Sequence, residues 1–326
     1  MNDTTDWRKF IGDGEVKPLQ LGDPPPWRRF DDAPEALTRK ITAARMKVKY
    51  QIRQPEADLV NAALHLRRPL LITGKPGVGK STLIDAVAYE LDLGEVLVWP
   101  INTRSTLESG LYRYDAIGRM QEANLLGPNA GERETASTLG KYLRLGPLGT
   151  AFLPSDRPRA LLIDEIDKSD IDLPNDLLTI FEEGKFEIPV LSRSRHDIVP
   201  VMAHDGGDPV PIKGGWVRAR QFPFIVMTSN GERDFPPPFL RRCIRMDLAD
   251  PDYDKLADII HAHLGVEAAR DATKLINEFL KAQQTNGPVA TDQLLNAVFL
   301  ATNLRIDLQA DDVKTLRERI FQSLRS

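Results

Sequence analysis

A glycine-rich turn carries the first residues of this chain that could do chemistry. It follows an apolar run and has the spacing Gly-x-x-x-x-Gly-Lys-Ser over residues 74–81. Glycines at these positions let backbone N–H groups approach phosphate oxygens, Lys80 would add positive charge, and Ser81 would offer a hydroxyl to Mg2+. We therefore predict a P-loop that binds a nucleoside triphosphate, with these ligands: Gly74, Pro76, Gly77, Val78, Gly79, Lys80, Ser81 and Thr82.

Two adjacent carboxylates follow a second apolar run. Residues 160–163 predict a buried strand, and Asp164 and Glu165 come at its carboxyl end. Asp164 could hold Mg2+ together with Ser81, and Glu165 could orient and deprotonate an attacking water. Asp-Glu pairs are common on protein surfaces, but the position after a buried strand favours the catalytic interpretation.

Polar residues also end a third apolar run, at Thr228, Ser229 and Asn230. Asn230 could hydrogen-bond both the γ-phosphate and the attacking water. The alternative is a turn that simply ends the strand. Arg241 and Arg242 follow shortly after, either as a solvated pair or as positive charge for a neighbouring subunit's γ-phosphate.

The elements that must position these residues can be inferred from the apolar runs. Runs at 96–101, 160–163 and 224–228 join the strand before the P-loop, and none shows polar alternation. Such runs are typical of parallel strands covered by helices on both faces. Helical patterns lie between them, and helices are predicted over 34–46 and 54–66. We expect a doubly wound α/β domain, a three-layer αβα sandwich with a parallel sheet.

The chain divides into three predicted parts. Residues 1–35, rich in Gly and Pro, form an irregular arm that packs through its aromatic residues. Residues 36–250 form the α/β nucleotide-binding domain. Residues 251–326 form a small all-helical domain, with helices predicted over 252–264, 266–284, 290–303 and 310–325.

The composition is that of an ordinary soluble protein, with 41% hydrophobic and 28% charged residues. A formal charge of -4 does not indicate nucleic-acid binding. The single cysteine, Cys243, excludes an intramolecular disulfide framework and favours a reducing compartment. The first ten residues lack a signal-peptide pattern, and no stretch is apolar enough for a membrane span. We expect a cytoplasmic protein.

The order of these motifs resembles that of the AAA+ ATPases. In that superfamily Gly74 to Ser81 matches Walker A, and the run from Leu161 to Glu165 matches Walker B. Asn230 matches sensor 1, and Arg241 or Arg242 matches the arginine finger. The resemblance covers about residues 36–305, and it implies an ATPase with a helical lid that uses ATP and Mg2+.

Within the superfamily the chain looks most like the MoxR-like clade. The narrower match rests on Gly146-Pro147-Leu148 and on the runs over residues 164–169 and 228–233. It implies a homo-oligomeric, usually hexameric ring that remodels a partner protein, with a von Willebrand factor A protein as a common partner. It also implies β-hairpin insertions, for which the matching segments are about 111–159 and 184–222.

The chain departs from the clade in two places. The 184–222 segment is longer than expected for the family hairpin, and Asp292 occupies the place where many relatives carry the sensor 2 arginine. A cation that acts on the γ-phosphate within the same subunit is therefore not expected, and the arginines from a neighbour gain importance. The resemblance also places Asn102 where a polar residue restrains the catalytic glutamate.

Two other functions remain possible from the sequence. A small-molecule kinase could use the same P-loop, but Glu165 beside Asp164 suits water activation. A nucleotide-dependent switch or scaffold with little hydrolysis is favoured by Asp292 and opposed by Glu165 and Asn230. The P-loop does not distinguish ATP from GTP, and no motif identifies the partner.

Overall fold

The computed structural model describes residues 7–23, 25, 28, 39, 41, 50–126, 135–286 and 290–302. The predicted helix over 310–325 lies outside these residues, as does the one over 34–46 apart from Arg39 and Ile41. Neither of those two is helical. Arg39 instead pairs with the segment around Ser155, through hydrogen bonds to the backbone of Pro154 and Asp156. The helix prediction is wrong at these two positions, because the Arg39 backbone pairs with another segment and the Ile41 carbonyl oxygen accepts a bond from Arg157 Nη2.

Five parallel strands form the central sheet. They are β1 (Leu70–Thr73), β2 (Leu97–Pro100), β5 (Ala160–Asp164), β10 (Phe224–Ser229) and β11 (Ile244–Asp247). Their order across the sheet is β11-β1-β10-β5-β2. The three predicted apolar runs and the strand before the P-loop all belong to it.

Alternate residues of the inner strands pack into two separate hydrophobic clusters. In β10, Phe224 and Val226 join one cluster, whereas Ile225 and Met227 join the other. Because successive side chains of a strand point to opposite faces, each cluster marks one covered face of the sheet. The predicted three-layer αβα class with a parallel sheet is confirmed.

Helices flank this sheet and connect its strands. Within the described residues, those before β11 are α1 (Gln54–Leu66), α2 (Lys80–Glu90), α3 (Leu107–Leu111), α4 (Ala116–Leu126), α5 (Ala136–Gly140), α6 (Pro147–Ala151), α7 (Leu173–Glu183), α8 (Pro189–Ser192) and α9 (Pro237–Leu240). A 3-10 turn, Ile166–Lys168, follows β5. The predicted helix over 54–66 is confirmed.

The edge strands differ from the sequence-based expectation. Val98 of β2 is 44% exposed, so the prediction that this run is covered on both faces is wrong. The reason is its position at the end of the sheet, where one face lacks a covering layer. At the opposite edge, β11 was not predicted, since only Met246 in it is fully buried.

Two smaller antiparallel sheets are formed by chain segments that connect strands of the central sheet. One pairs β3 (Tyr112–Tyr114) with β4 (Leu143–Leu145). The other has the order β6-β9-β8-β7. Its strands are β6 (Lys185–Glu187), β7 (Ile198–Val201), β8 (Val210–Lys213) and β9 (Trp216–Arg218). These sheets fall in the segments that the resemblance assigned to insertions.

After β11, the elements among the described residues, which end at 302, are all helices. They are α10 (Tyr253–Leu264), α11 (Val266–Asp271), α12 (Thr273–Asn286) and α13 (Thr291–Thr302). Their apolar residues form a third, separate cluster that includes Leu256, Phe279 and Leu294. The helix predicted over 266–284 is two helices, because α11 ends at Asp271 and α12 begins at Thr273. No helix among the described residues is long and apolar enough to span a membrane.

The N-terminal segment runs along α1 and α2. Phe10 is fully buried, and Asn61 of α1 bonds its backbone N–H at 2.9 Å and its carbonyl oxygen at 2.7 Å. The buried carboxylate of Glu90, in α2, accepts backbone N–H groups from Ile11, Gly12 and Gly14. A carboxylate that accepts several N–H groups fixes a loop without any secondary structure of its own. This segment is therefore held against the helix that begins at the P-loop.

Candidate functional site

The P-loop connects β1 to α2 at the carboxyl edge of the sheet. Gly77 and Gly79 have φ angles of 80° and 91°, in the left-handed region that side chains disfavour. Gly79 is also the N-cap of α2, so the unpaired N–H groups of the first helical turn lie at the loop. Backbone donors and the positive end of the helix dipole thus converge on one place, which suits an anion.

Lys80 lies inside this turn. Its Nζ donates to the carbonyl oxygens of Gly74 at 2.7 Å and Lys75 at 2.8 Å, and to Asn230 Oδ1 at 2.8 Å. The side chain is buried, and burial lowers its pKa although nearby Asp167, Asp164 and Glu165 act in the opposite direction. An ammonium group held mainly by neutral oxygens keeps its charge available for a phosphate.

Two hydroxyl groups converge on Asp164, the last residue of β5. Ser81 Oγ lies 3.0 Å from Asp164 Oδ1, and Thr228 Oγ1 lies 2.6 Å from the same oxygen. The parallel register of β5 and β10 brings Asp164 and Thr228 to neighbouring strand ends. The result is a group of oxygen ligands beside the P-loop.

Glu165 adopts a backbone conformation that is rare for its residue type. Its φ is 58° and its ψ is 50°, and its N–H donates to Thr228 Oγ1 at 2.8 Å. Its carboxylate accepts Lys168 Nζ at 2.7 Å, and Asn230 Nδ2 lies 3.4 Å from its other oxygen. Strained backbone of this kind persists only where surrounding contacts impose it, and it concentrates at functional sites.

Asp167 links the loop after β5 to the loop after β10. Its buried Oδ2 accepts the backbone N–H groups of Asn230 at 2.9 Å and Glu232 at 3.1 Å. Arg233 adds a bond from Nη1 to the carbonyl oxygen of Ser169 at 2.6 Å. From the sequence, Asp167 was only one residue of the run over 164–169 and had no predicted role of its own. Its role depends on a contact between residues more than sixty positions apart in the chain.

A cavity of about 410 Å3 opens above the P-loop. Glu165, Asn230, Asp164 and all predicted nucleotide ligands other than Gly74 line it. Gly74 instead contributes the carbonyl oxygen that holds Lys80. The structure therefore brings together the residues that three separate sequence motifs suggested.

The cavity has walls that no motif indicated. Tyr50 and Gln51 line one side, and Lys255, Ile259 and His263 line another. The latter three recur at every fourth residue of α10, so they share a helix face. Their role could not be read from the sequence, because a helix face becomes part of a site only when the helix packs beside it.

Tyr50 contributes a buried hydroxyl with no hydrogen-bond partner among the residues that the structure describes. Burial raises its pKa well above the usual range, so the phenol is protonated near neutral pH. A Cβ atom on Gly79 would lie 3.3 Å from the Tyr50 ring. An unpaired buried hydroxyl beside the P-loop is a donor for a ligand in the cavity.

The amino end of α13 closes the cavity over the P-loop. Thr291 N–H donates to the carbonyl oxygen of Gly77 at 3.3 Å, and a Cβ atom on Gly77 would lie 2.4 Å from that of Ala290. Asp292, in the first turn of this helix, also lines the cavity. Asp292, which occupies the position expected for a sensor 2 arginine, thus places a carboxylate in the cavity wall.

Arg241 and Arg242 do not line the cavity of their own chain. Both follow the short helix α9, and Arg242 forms an ion pair with Glu182 of α7. Arg241 is exposed, and its side chain has no ion pair within the described ranges. Asn102 likewise bonds locally, since its Oδ1 accepts the backbone N–H of Arg104 at 2.9 Å.

Comparison with known proteins gives a family match for part of the chain. Residues 69–197 match the model of the AAA domain, dynein-related subfamily. This segment, which contains the P-loop, Asp164 and Glu165, is similar to an AAA domain. No curated protein matches the chain.

Two solved structures illustrate the structural similarities. Domain III of the Thermotoga maritima replication initiation protein DnaA is 17% identical over 83% of this chain and 94% of that chain, with a TM-score of 0.39. A mutant of Thermotoga maritima RuvB is 16% identical over 83% of this chain and 78% of that chain, with a TM-score of 0.35. At these scores neither similarity bears on the function of this chain.

Proposed function

We propose, from the premise that residues 69–197 form an AAA domain, that this chain is an ATP-hydrolysing AAA+ enzyme of the MoxR-like type. The observation that carries the proposal is the convergence of Lys80, Ser81, Asp164, Glu165 and Asn230 around one cavity. These residues come from the carboxyl ends of two strands, β5 and β10, and from the start of α2, and together they supply a cation, metal ligands, a base and an amide.

The oxygen atoms around Asp164 fit Mg2+. Ser81 Oγ and Thr228 Oγ1 both lie within 3.0 Å of Asp164 Oδ1, and Mg2+ is a hard cation that prefers oxygen ligands. Ser81 and Asp164 would hold the ion beside the P-loop. When bound, Mg2+ supplies positive charge that offsets the negative charge of the phosphates.

The remaining residues divide the chemistry of ATP hydrolysis. Backbone N–H groups of the P-loop and Lys80 bind the phosphates, and Asn230 orients the attacking water through its amide. Glu165 accepts a proton from that water at Oε1, the carboxylate oxygen that lies beside Asn230 and is not bonded to Lys168.

The proposal includes a ring in which a neighbour supplies the arginine. Asp292 stands where a cation from the same subunit would be expected, and it lines the cavity. Arg241 is the better candidate of the two arginines, because Arg242 is already paired with Glu182. We further propose a hexamer, a cytoplasmic setting and a protein partner, with a von Willebrand factor A protein as the first candidate. These extend the family resemblance.

Mixing two inactive variants tests the arginine in trans. Arg241→Ala lacks the arginine but keeps its own P-loop, and Lys80→Ala loses nucleotide binding but keeps Arg241. Each alone should hydrolyse ATP slowly, and the mixture should recover activity because one subunit completes the other's site. Arg242→Ala is treated in the same way, and Arg245→Ala, an exposed arginine of β11, is the matched control. If both finger variants hydrolyse normally as monomers, the ring mechanism is wrong.

A nucleotide-dependent switch with little hydrolysis is the second candidate. The observation that favours it is the carboxylate of Asp292 in the cavity wall, where a cation would assist hydrolysis. Particle mass and ATP hydrolysis measured across a protein concentration series separate the two. Hydrolysis per subunit that rises as rings form supports the ATPase, whereas ATP-dependent assembly without hydrolysis supports the switch.

A further inference from the structure

A second cleft lies between the two antiparallel insertions, away from the nucleotide cavity. Its volume is about 740 Å3, within the range of sites that enclose a small ligand or a short peptide segment. We name it the insertion cleft. It is lined by Tyr112 and Tyr114 of β3, Glu108 and Arg119 from the flanking helices, and residues at 189–190 and 193–195.

The charge of the insertion cleft is positive but mixed. Three arginines line it, Arg119, Arg193 and Arg195, against one carboxylate, Glu108. Arg193 and Arg195 are exposed at its rim. Guanidinium groups bind carboxylates through paired hydrogen bonds, so this rim suits an acidic ligand.

Two tyrosines form the aromatic side of the cleft. Tyr114 accepts a hydrogen bond at its hydroxyl from Arg119 Nη1 at 2.8 Å. Both tyrosines are partly buried and lie two apart on β3, so they share a face of the strand. Their rings offer apolar surface, to which Pro189 and Val190 add.

We propose that the insertion cleft binds an extended acidic peptide segment of a partner protein, with carboxylates on Arg193 and Arg195 and apolar side chains against Tyr112 and Tyr114. The alternation of charged and apolar groups in such a segment matches the two sides of the cleft. This inference deepens the proposed function by giving the chemistry of the partner. Peptide binding itself does not depend on the proposed function, but its role in remodelling a partner protein rests on it.

A single-stranded nucleic acid fits the same cleft less well. Its backbone would bring a phosphate charge at every nucleotide past Glu108, and Glu187 adds a second negative charge near Tyr112. A peptide can place a backbone N–H or an uncharged side chain at those carboxylates. The apolar contribution of Pro189 and Val190 also favours a peptide over stacked bases.

Fluorescence anisotropy with a labelled peptide of five Asp-Leu repeats tests the proposal on the full-length protein. The comparison probes are a Lys-Leu peptide of the same length and a single-stranded oligothymidine. The test variant is Arg193→Glu/Arg195→Glu. Its matched control, Lys213→Glu/Lys274→Glu, makes the same change in net charge at two exposed lysines outside the cleft.

We expect the Asp-Leu peptide to bind and the Lys-Leu peptide not to bind. The cleft variant should lose about tenfold or more in affinity, whereas the control should stay within about twofold, since charge contacts act at short range in salt. An unchanged affinity in the cleft variant overturns the proposal, and so does an Asp-Leu peptide that fails to bind. Tighter binding of oligothymidine through the same arginines also overturns it, in favour of a nucleic acid.

Two additional measurements keep these outcomes separate from folding and from ATP hydrolysis. The milder variant Arg193→Gln/Arg195→Gln is measured alongside, and thermal unfolding is recorded for every variant. ATP hydrolysis without peptide is measured in parallel. Normal hydrolysis with no peptide binding would reject the peptide-binding role of the insertion cleft and leave the proposed function intact. Peptide binding without hydrolysis would reject the proposed function and leave the peptide-binding role intact.

Discussion

Asp167 Oδ2 accepts the backbone N–H of Asn230 at 2.9 Å, so a residue two positions after the predicted base Glu165 positions Asn230, which we propose faces the γ-phosphate. The same oxygen also accepts the N–H of Glu232 at 3.1 Å. Asp167 is buried, and hydrogen bonds to a buried charged group are the stronger kind. This carboxylate therefore ties the loop after β5 to the loop after β10.

Removal of this carboxylate should slow hydrolysis without preventing nucleotide binding. Asp167→Ala leaves two N–H groups without their acceptor, so we expect the free energy of unfolding to fall by about 2 kcal/mol or more. We expect kcat to fall about tenfold or more, while KM for ATP changes little. Steady-state kinetics and urea unfolding check this. Asp170→Ala, an exposed position in the same loop, is the control, and an equal kcat in both variants would contradict the role of Asp167.

The backbone of Glu165 gives a prediction about stability. Its φ of 58° costs a residue with a Cβ atom roughly 1 kcal/mol relative to glycine. Glu165→Gly and Glu165→Ala both remove the carboxylate, so both should abolish hydrolysis. Glu165→Gly should be the more stable of the two by about 1 kcal/mol in chemical unfolding. Equal stabilities would show that the conformation is not strained.

Gly77 should tolerate no side chain because of the helix above it. A Cβ atom there would lie 2.4 Å from Ala290 Cβ, whereas one on Gly206 would have open space. The two glycines have similar φ angles, 80° and 75°, so Gly206→Ala controls for backbone strain alone. Gly206→Ala should lose about 1 kcal/mol of stability from backbone strain, and Gly77→Ala should lose more because of the clash. Only Gly77→Ala should also weaken binding of a fluorescent ATP analogue, by about tenfold or more, and equal affinities would contradict the contact.

Cys243 should be unreactive in the native protein. It is the only cysteine, its Sγ donates to the carbonyl oxygen of Phe239 at 3.3 Å, and burial raises its pKa to about 12. At pH 8 a thiol reagent should therefore react at least about a hundredfold more slowly with native than with unfolded protein. Comparable rates in the two states would contradict the burial.

The same shift in pKa has a consequence for stability. The folded-state pKa of Cys243 lies above its ordinary value of 9.0, so folded protein holds the proton more tightly than unfolded protein. Its contribution is complete below about pH 9 and is lost as pH rises towards 12. Unfolding measured across this range should show a loss that Cys243→Val lacks.

The sequence was most informative where the functional residues are close together in the chain. Residues 74–81 and the pair Asp164–Glu165 each form a local pattern, and the apolar runs before them predicted strands that the structure confirms. Chain order alone was enough to expect that Glu165 and Asn230 would meet, because parallel strand ends share one edge.

Features that depend on packing could not be predicted in this way. Tyr50 and Ala290 reach the P-loop only because distant segments fold over it, and neither belongs to a recognisable motif. The exposure of Val98 depends on which strand lies at the sheet edge, and a strand's own residues do not specify its neighbours. The contacts of Asp167 likewise join two loops that are far apart in the sequence, so the sequence does not show that they lie close together in space.

The most direct test of the central claim compares ATP hydrolysis by the wild-type protein and Glu165→Gln, with bound ATP quantified in the same samples. We expect Mg2+-dependent hydrolysis by the wild type. The variant should bind ATP equally well and hydrolyse it at least about tenfold more slowly, because the amide cannot accept the proton of the attacking water. Equal rates, or a wild type that binds ATP and hydrolyses none at any protein concentration, would contradict the assignment of this cavity as an ATPase site.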